Sequence, residues 1–281
     1  MRIVGSFARV PLQLAVLMMG AVACLSLVVA QDSGEYVPKS GQSGKDVIWL
    51  PTETPIVSEM LNIAKMTPDD FVIDLGSGDG RTVIAAAKRG AKSKGIEFNP
   101  KLVEFARKRA QEAGVSDKTE FVQGDIFKTD FSNATVLTMF LLPSINEQLM
   151  PQILKMKPGT RIVTNTFTMG DWKADASSEV KEGCRQYCTA HLWYVPADLA
   201  GTWSGEDGTL ELRQSYQMLS GGLQNGADVA KLMGGKVKGT EFEFQIGSTT
   251  YKGRIEGDAL VGTKQAAGGE PTAWRVTRKK S

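Results

Sequence analysis

The chain has 281 residues, 42% of them hydrophobic and 23% charged, with a formal net charge of +2. That composition supplies one or two globular domains with real cores and excludes a disordered, repetitive or fibrous protein. So small a net charge excludes bulk electrostatic capture of nucleic acid, and the basic cluster Arg275–Lys280 reads as a solvated end.

In chain order, Arg2 and Arg9 precede an apolar run from Pro11 to Ala30, and Val28-Val29-Ala30 before Gln31 fits a small-residue cleavage rule. The expectation is an exported, periplasmic or secreted chain. Residues 1–30 then act as a signal peptide or, uncleaved, as a membrane anchor, the one route foreseen to a membrane. Cys24 follows Ala21-Val22-Ala23, which lacks the leucine of a lipidation box. Residues 31–46 are polar and glycine-rich and read as a linker to a domain over 47–197. Pro51 to Pro55 stops any strand and opens a helix, with Thr54 expected as its N-cap and Ile56, Met60, Ile63 and Ala64 on one face.

Strands are then expected at Phe71–Leu75, Ser93–Phe98, Thr119–Gln123, Thr135–Leu142 and Thr160–Phe167, with helices at Arg81–Arg89, Pro100–Ala113 and Ile145–Met156. This alternation predicts an α/β fold, a doubly wound and mostly parallel seven-strand sheet with right-handed crossovers. Beyond Pro196–Ala200 the texture changes. Short alternating strands separated by glycine turns, from Gly201-Thr202-Trp203 to Ala273–Thr277, predict a small antiparallel β-barrel-like domain over 198–281, closed or half closed. Its opening Gly-x-Trp is similar to that of lipocalin-like barrels.

The chemistry concentrates at the ends of the predicted strands. The first runs into Asp74-Leu-Gly76-Ser77-Gly78-Asp79-Gly80, glycines that let the backbone turn sharply and approach a ligand. Glu97 ends the second strand, and Gly124-Asp125-Ile126-Phe127 follows the third. Carboxylates at successive strand ends are how α/β sheets grip a nucleoside. A G-x-G-x-G loop preceded by Asp74 is unsuited to a pyrophosphate and suits a ligand carrying an amino or sulfonium cation.

This set of motifs, spread over roughly residues 45–195, resembles the class I methyltransferases that use S-adenosylmethionine. The resemblance implies that Asp74 faces the methionyl ammonium, that Gly76, Ser77, Gly78 and Gly80 pass beneath the ligand, and that Glu97, with Asn99 beside it, takes the ribose. Asp125 would accept from the adenine amino group, with Ile126 and Phe127 flanking the ring. An acceptor site is implied past the fourth strand, at Phe140-Leu141-Leu142-Pro143, with Phe140 and Pro143 as candidates. That segment departs from the Asn/Asp-Pro-Pro-aromatic pattern of other amino-group enzymes, which argues against nucleobases and against a nucleic-acid partner. Trp49-Leu-Pro51-Thr52-Glu53-Thr54 resembles the stretch that precedes the fold in protein-lysine methyltransferases, so Glu53 is a candidate to orient or deprotonate an amine; a helix-capping role is the alternative. The acceptor is read as a protein lysine, or failing that a small molecule. Export would part the enzyme from a donor made in the cytosol, so a non-catalytic, exported nucleoside- or partner-binding protein on the same scaffold is the other reading.

The single histidine, His191, argues against Ser-His-Asp hydrolysis and His-rich metal chemistry, and no metal is expected. Trp172 is expected to lid or pack the site. Cys184 and Cys188 either close a small disulfide loop or remain separate thiols.

Overall fold

The computed structural model describes residues 36–279, so the leader expected over residues 1–30 lies outside the described residues. Helix α1 (Thr54–Ile63) buries Ile56, Val57, Met60 and Leu61 against the sheet. Its N-cap is Glu53 rather than Thr54, and Glu53 makes no capping hydrogen bond. Strands β1 (Phe71–Leu75), β2 (Lys92–Glu97), β3 (Thr119–Gln123), β4 (Val136–Met139) and β5 (Arg161–Asn165) alternate with helices α2 (Arg81–Lys88), α3 (Pro100–Glu112) and α4 (Pro143–Ile153). Strand β4 is buried along its whole length, as a nearly continuous apolar run interrupted only by Thr138 requires of a strand covered on both faces.

Strands β6 (Ala176–Glu179) and β7 (Thr189–Tyr194) complete a seven-strand sheet in the order β3-β2-β1-β4-β5-β7-β6. Neighbours pair in parallel from β3 to β5, and β7 is antiparallel to both β5 and β6. The order reverses between β1 and β4, which opens a crevice at the carboxyl ends of those strands.

The second domain is a closed eight-strand antiparallel barrel: β8 (Gly201–Gly205), β9 (Gly208–Ser215), β10 (Met218–Asn225), β11 (Asp228–Lys238), β12 (Glu241–Ile246), β13 (Thr249–Glu256), β14 (Ala259–Ala266) and β15 (Thr272–Arg278). The seam closes through Thr277 opposite Ser204 and Arg278 opposite Trp203. Side chains fill its axis, among them Trp203, Phe242, Phe244, Tyr251 and Trp274. Alternation on β12, with Phe242, Phe244 and Ile246 inward and Glu241, Glu243 and Gln245 outward, is what sets that register.

The barrel meets the sheet domain at the amino ends of the parallel strands, opposite the crevice. Ala197 N–H donates to Gly239 O at 2.7 Å, and a Cβ on Gly239 would come within 3.0 Å of Gly159 in the turn before β5. Gln217 Nε2 donates to Lys173 O at 2.6 Å, and Lys236 Nζ lies 2.9 Å from Asp175. Trp172 is fully buried and stacks on Tyr216 at 5.8 Å. Trp172 therefore joins the two domains instead of covering the site.

Candidate active site

The glycine loop and three strand-end acids converge. Asp74, near the end of β1, is 6% exposed, and Thr138 Oγ1 on β4 donates to its Oδ1 at 2.6 Å. Burial pushes its carboxyl up to about 7, the charges of Glu97 and Asp79 add to the rise, and hydrogen bonds from Thr138 and Thr82 oppose it. Glu97 is oriented by two backbone donors, Gly78 N–H to Oε2 and Asn99 N–H to Oε1, both at 2.9 Å. Each oxygen keeps a lone pair for another donor. Asp125 accepts from Phe127 N–H at 3.0 Å, and Lys45 Nζ lies 3.2 Å from its other oxygen. The Phe127 N–H first, and then Lys45, hold this carboxyl below its usual range.

Asp74, Glu97 and Asp125 line one crevice together with Gly76, Ser77, Gly78 and Ile126, with about 940 Å³ of empty space between its walls, open solvent included. The loop fits close approach by a ligand. Gly76, Gly78 and Gly80 have φ of 72°, 53° and 77°, in the left-handed region that a side chain makes costly. A Cβ on Gly78 would lie 2.3 Å from Trp49 Nε1. A sulfonium nucleoside carries an ammonium, a ribose diol and an adenine amino group, and the donor set offers one carboxylate to each.

Three expected residues serve other purposes. Gly80 is the N-cap of α2, where a Cβ would meet the Phe121 ring at 2.7 Å; its small size is needed for helix packing. The Asn99 side chain caps α3 by accepting from Lys101 N–H at 3.0 Å. Pro143 is the exposed first residue of α4, where its missing N–H costs nothing. None of the three is among the crevice-lining residues.

A second crevice, lined by Glu53, Asn165, Arg185 and Tyr187, shares Leu50, Pro51, Thr52, Arg81 and Phe140 with the first. Phe140, just past β4, stacks on Phe167, just past β5, with centroids 5.8 Å apart and planes 12° from parallel. Tyr187 closes on both, at 5.2 and 5.7 Å. Glu53 accepts from Arg185 N–H at 3.1 Å and pairs with its guanidinium. Arg81 braces the junction, donating to Thr52 O at 2.7 Å and clasping Asp79. Cys184 and Cys188 are joined by a disulfide, with Cα atoms 5.8 Å apart.

Residues 36–46, expected as a linker, lie against the site. Gly41 N–H donates to Trp49 O and Trp49 N–H donates to Gln42 O in a small hairpin, Tyr36 packs edge-on to Phe105 of α3, and Lys45 sits 5.4 Å from the ring centres of Phe98 and Phe127. Lys45, Trp49 and Phe98 line the first crevice and Tyr187 the second, with Phe167 packed behind Phe140 and Tyr187; of these only Trp49 lies in a stretch that the sequence singles out. Phe98 carries a usable signal, since it directly follows the strand-end acid. His191 is a sheet residue: Nδ1 accepts from Ser177 Oγ at 2.7 Å and Nε2–H donates to Thr166 O at 3.1 Å.

The ANTKMT methyltransferase domain family matches residues 74–176. A protein-lysine N-methyltransferase of Saccharolobus islandicus (strain REY15A) is 40% identical over 152 residues, which cover 53% of this chain and 94% of that protein. An adenine nucleotide translocase lysine N-methyltransferase of Mus musculus is 34% identical over 119 residues, 42% of this chain and 52% of the relative. Among solved structures, an RNA methyltransferase from Salinibacter ruber in complex with S-adenosyl-L-homocysteine is 44% identical, with a TM-score of 0.50, covering 53% of this chain and 96% of that one.

Proposed function

This chain belongs to the class I S-adenosylmethionine-dependent methyltransferases, and we propose that its methyl acceptor is the side-chain amine of a protein lysine. One observation carries the acceptor: the acid-lined crevice adjoins, across Phe140, a second crevice lined by Phe140 and Tyr187 and bearing Glu53. Aromatic faces and a carboxylate attract an ammonium and pack against an aliphatic stem. The names of the relatives from Saccharolobus and Mus musculus support the same reading.

S-adenosylmethionine, when bound, supplies an activated methyl group. The chain's own residues then have three tasks. Asp74, Glu97 and Asp125 hold the ammonium, the ribose diol and the adenine amine, with Gly76, Ser77, Gly78 and Ile126 around them. Phe140 and its neighbours desolvate the incoming amine, which lowers its pKa from about 10.4 towards the neutral form that has a lone pair to give. Glu53, in the adjoining crevice, is the carboxylate that would orient that amine and take its proton. The disulfide favours work in an oxidising compartment, in keeping with the export expected from the leader.

The test is label transfer. The full chain with methyl-labelled S-adenosylmethionine is given an envelope protein extract and, separately, total RNA. Label on lysine in digested protein, lost with Glu53→Gln, is the expected result. Label on RNA alone would replace the lysine reading with the activity named for the Salinibacter relative. Label on neither would leave a binding protein.

A further inference from the structure

We propose that the disulfide-closed loop Cys184–Cys188 is the acceptor-recognition element of this enzyme, holding Tyr187 beside Phe140 as the aromatic side of the slot, the Glu53-bearing crevice, that takes a lysine side chain. The inference rests on the lysine reading above and names the residue that would enforce it.

Two rings of the cluster are anchored near the sheet: Phe140 directly follows β4, and Phe167, packed behind it, comes two residues after β5, both strands being buried almost throughout. The third ring, Tyr187, has no such support. From Lys181 to Tyr187 every side chain is exposed except the half-buried Cys184. Apart from the ring contacts of Tyr187 and the packing of Cys184, apolar burial does not hold the loop in place. Tyr187 also adopts φ of 58°, a left-handed conformation that a bulky residue seldom takes without a constraint. The constraint present is the bond between Cys184 and Cys188, which brackets Tyr187 within a ring of five residues.

The same loop sets the carboxylate. Arg185 N–H donates to Glu53 Oε2 at 3.1 Å, so displacing the ring also unhooks Glu53 from its only backbone donor among the described contacts. The ring of Tyr187 is tilted 58° to Phe140 and 52° to Phe167, while those two lie nearly parallel. Their separations are those of rings in contact, so the three form one packed cluster, and Phe140 and Tyr187 present it to the crevice that bears Glu53, where an aliphatic stem can lie along the aromatic face with its cation toward the carboxylate. Arg185, Gln186 and Tyr187 line the second crevice and not the acid-lined one, so the loop acts on acceptor binding and leaves donor binding alone.

The test is calorimetry on the full chain saturated with S-adenosylhomocysteine, using Nα-acetyl-lysine methylamide as the acceptor probe. It compares the oxidised chain, the chain reduced with dithiothreitol, Cys184→Ser with Cys188→Ser, Tyr187→Ala and Tyr187→Phe. The expected result is about tenfold weaker probe binding on reduction, in the double serine variant and in Tyr187→Ala. Tyr187→Phe should stay near the parent and S-adenosylhomocysteine affinity should not change in any of them. Equal probe affinity in the oxidised parent and Tyr187→Ala overturns the slot while leaving the lysine reading intact. An oxidised parent that holds S-adenosylhomocysteine but no lysine probe overturns both. Loss of S-adenosylhomocysteine binding on reduction would mark the disulfide as a folding staple and overturn its role in recognition, and Tyr187→Ala, which keeps the disulfide, still reads the slot directly.

Discussion

Lys45 Nζ lies 3.2 Å from Asp125 Oδ2 and 5.4 Å from the ring centres of Phe98 and Phe127, so a cation of the chain itself sits at the position assigned to the adenine amine. Asp125 is the largest cause of the raised pKa of this lysine. Nucleoside binding must displace or share that contact. Lys45→Ala should therefore tighten S-adenosylmethionine binding by roughly two- to fivefold, the scale of an exposed ion pair, and weaken its salt dependence. Titrations at two ionic strengths check this; weaker binding in the variant would make Lys45 part of the grip.

Asp74 gives the site a pH dependence of defined sign. Its carboxyl is raised from 3.8 to about 7, so the folded chain keeps a proton that the unfolded chain releases near pH 4. The stability this contributes is complete below about pH 4 and is lost as pH rises through 7. Asp74→Asn should flatten that slope and be more stable than the parent at pH 8. Donor affinity runs the opposite way, because the ionised carboxylate grips an ammonium: it should rise from pH 6 to 8, by about tenfold per unit below the midpoint, and stay flat in Asp74→Asn. Denaturant melts and donor titrations across that range are the measurements.

Gly78 has φ of 53°, and a Cβ there would fall 2.3 Å from Trp49 Nε1. Gly78→Ala should cost about 1–2 kcal/mol from backbone strain and push the Trp49 hairpin off the crevice, weakening the donor at least tenfold. Gly226, with φ of 61° but nothing within 4 Å of its Cβ, is the control: Gly226→Ala should carry strain and no change in donor affinity.

The stack of Trp172 on Tyr216 lies at the far end of the sheet from the crevice. Tyr216→Ala should destabilise the chain by about 2 kcal/mol and leave donor binding unchanged. A lowered unfolding midpoint with parent-like donor affinity is the expected pair of results. A loss of donor affinity would couple the barrel to the site.

What can be read from the sequence follows from where the information resides. The glycine loop, β1, β3 and the strand-end acids are local patterns, and they stand where they are expected. Strand β6 is invisible in the sequence because Ala176-Ser-Ser-Glu179 is exposed and has no alternation; it exists only as a partner for β7. Strand β10 is hidden because Gly221-Gly222 reads as a turn. Both glycines are there for close packing: a Cβ on Gly221 would strike Glu211 O at 1.8 Å, and one on Gly222 would approach Ala230 O at 2.8 Å. The strap over the crevice looks like a linker because polar composition marks solvent exposure on average. Here single contacts hold it: Lys45 with Asp125, Trp49 over Gly78 and Tyr36 against Phe105. Phe167 and Tyr187 come from separate loops whose approach no spacing announces.

The most direct measurement is calorimetric titration of S-adenosylmethionine into the full-length chain, beside Asp74→Ala, Glu97→Ala and Pro143→Ala. The account predicts binding in the micromolar range for the parent and for Pro143→Ala, and its loss in both acid variants. No heat in the parent, or undiminished binding in Asp74→Ala and Glu97→Ala, would contradict it.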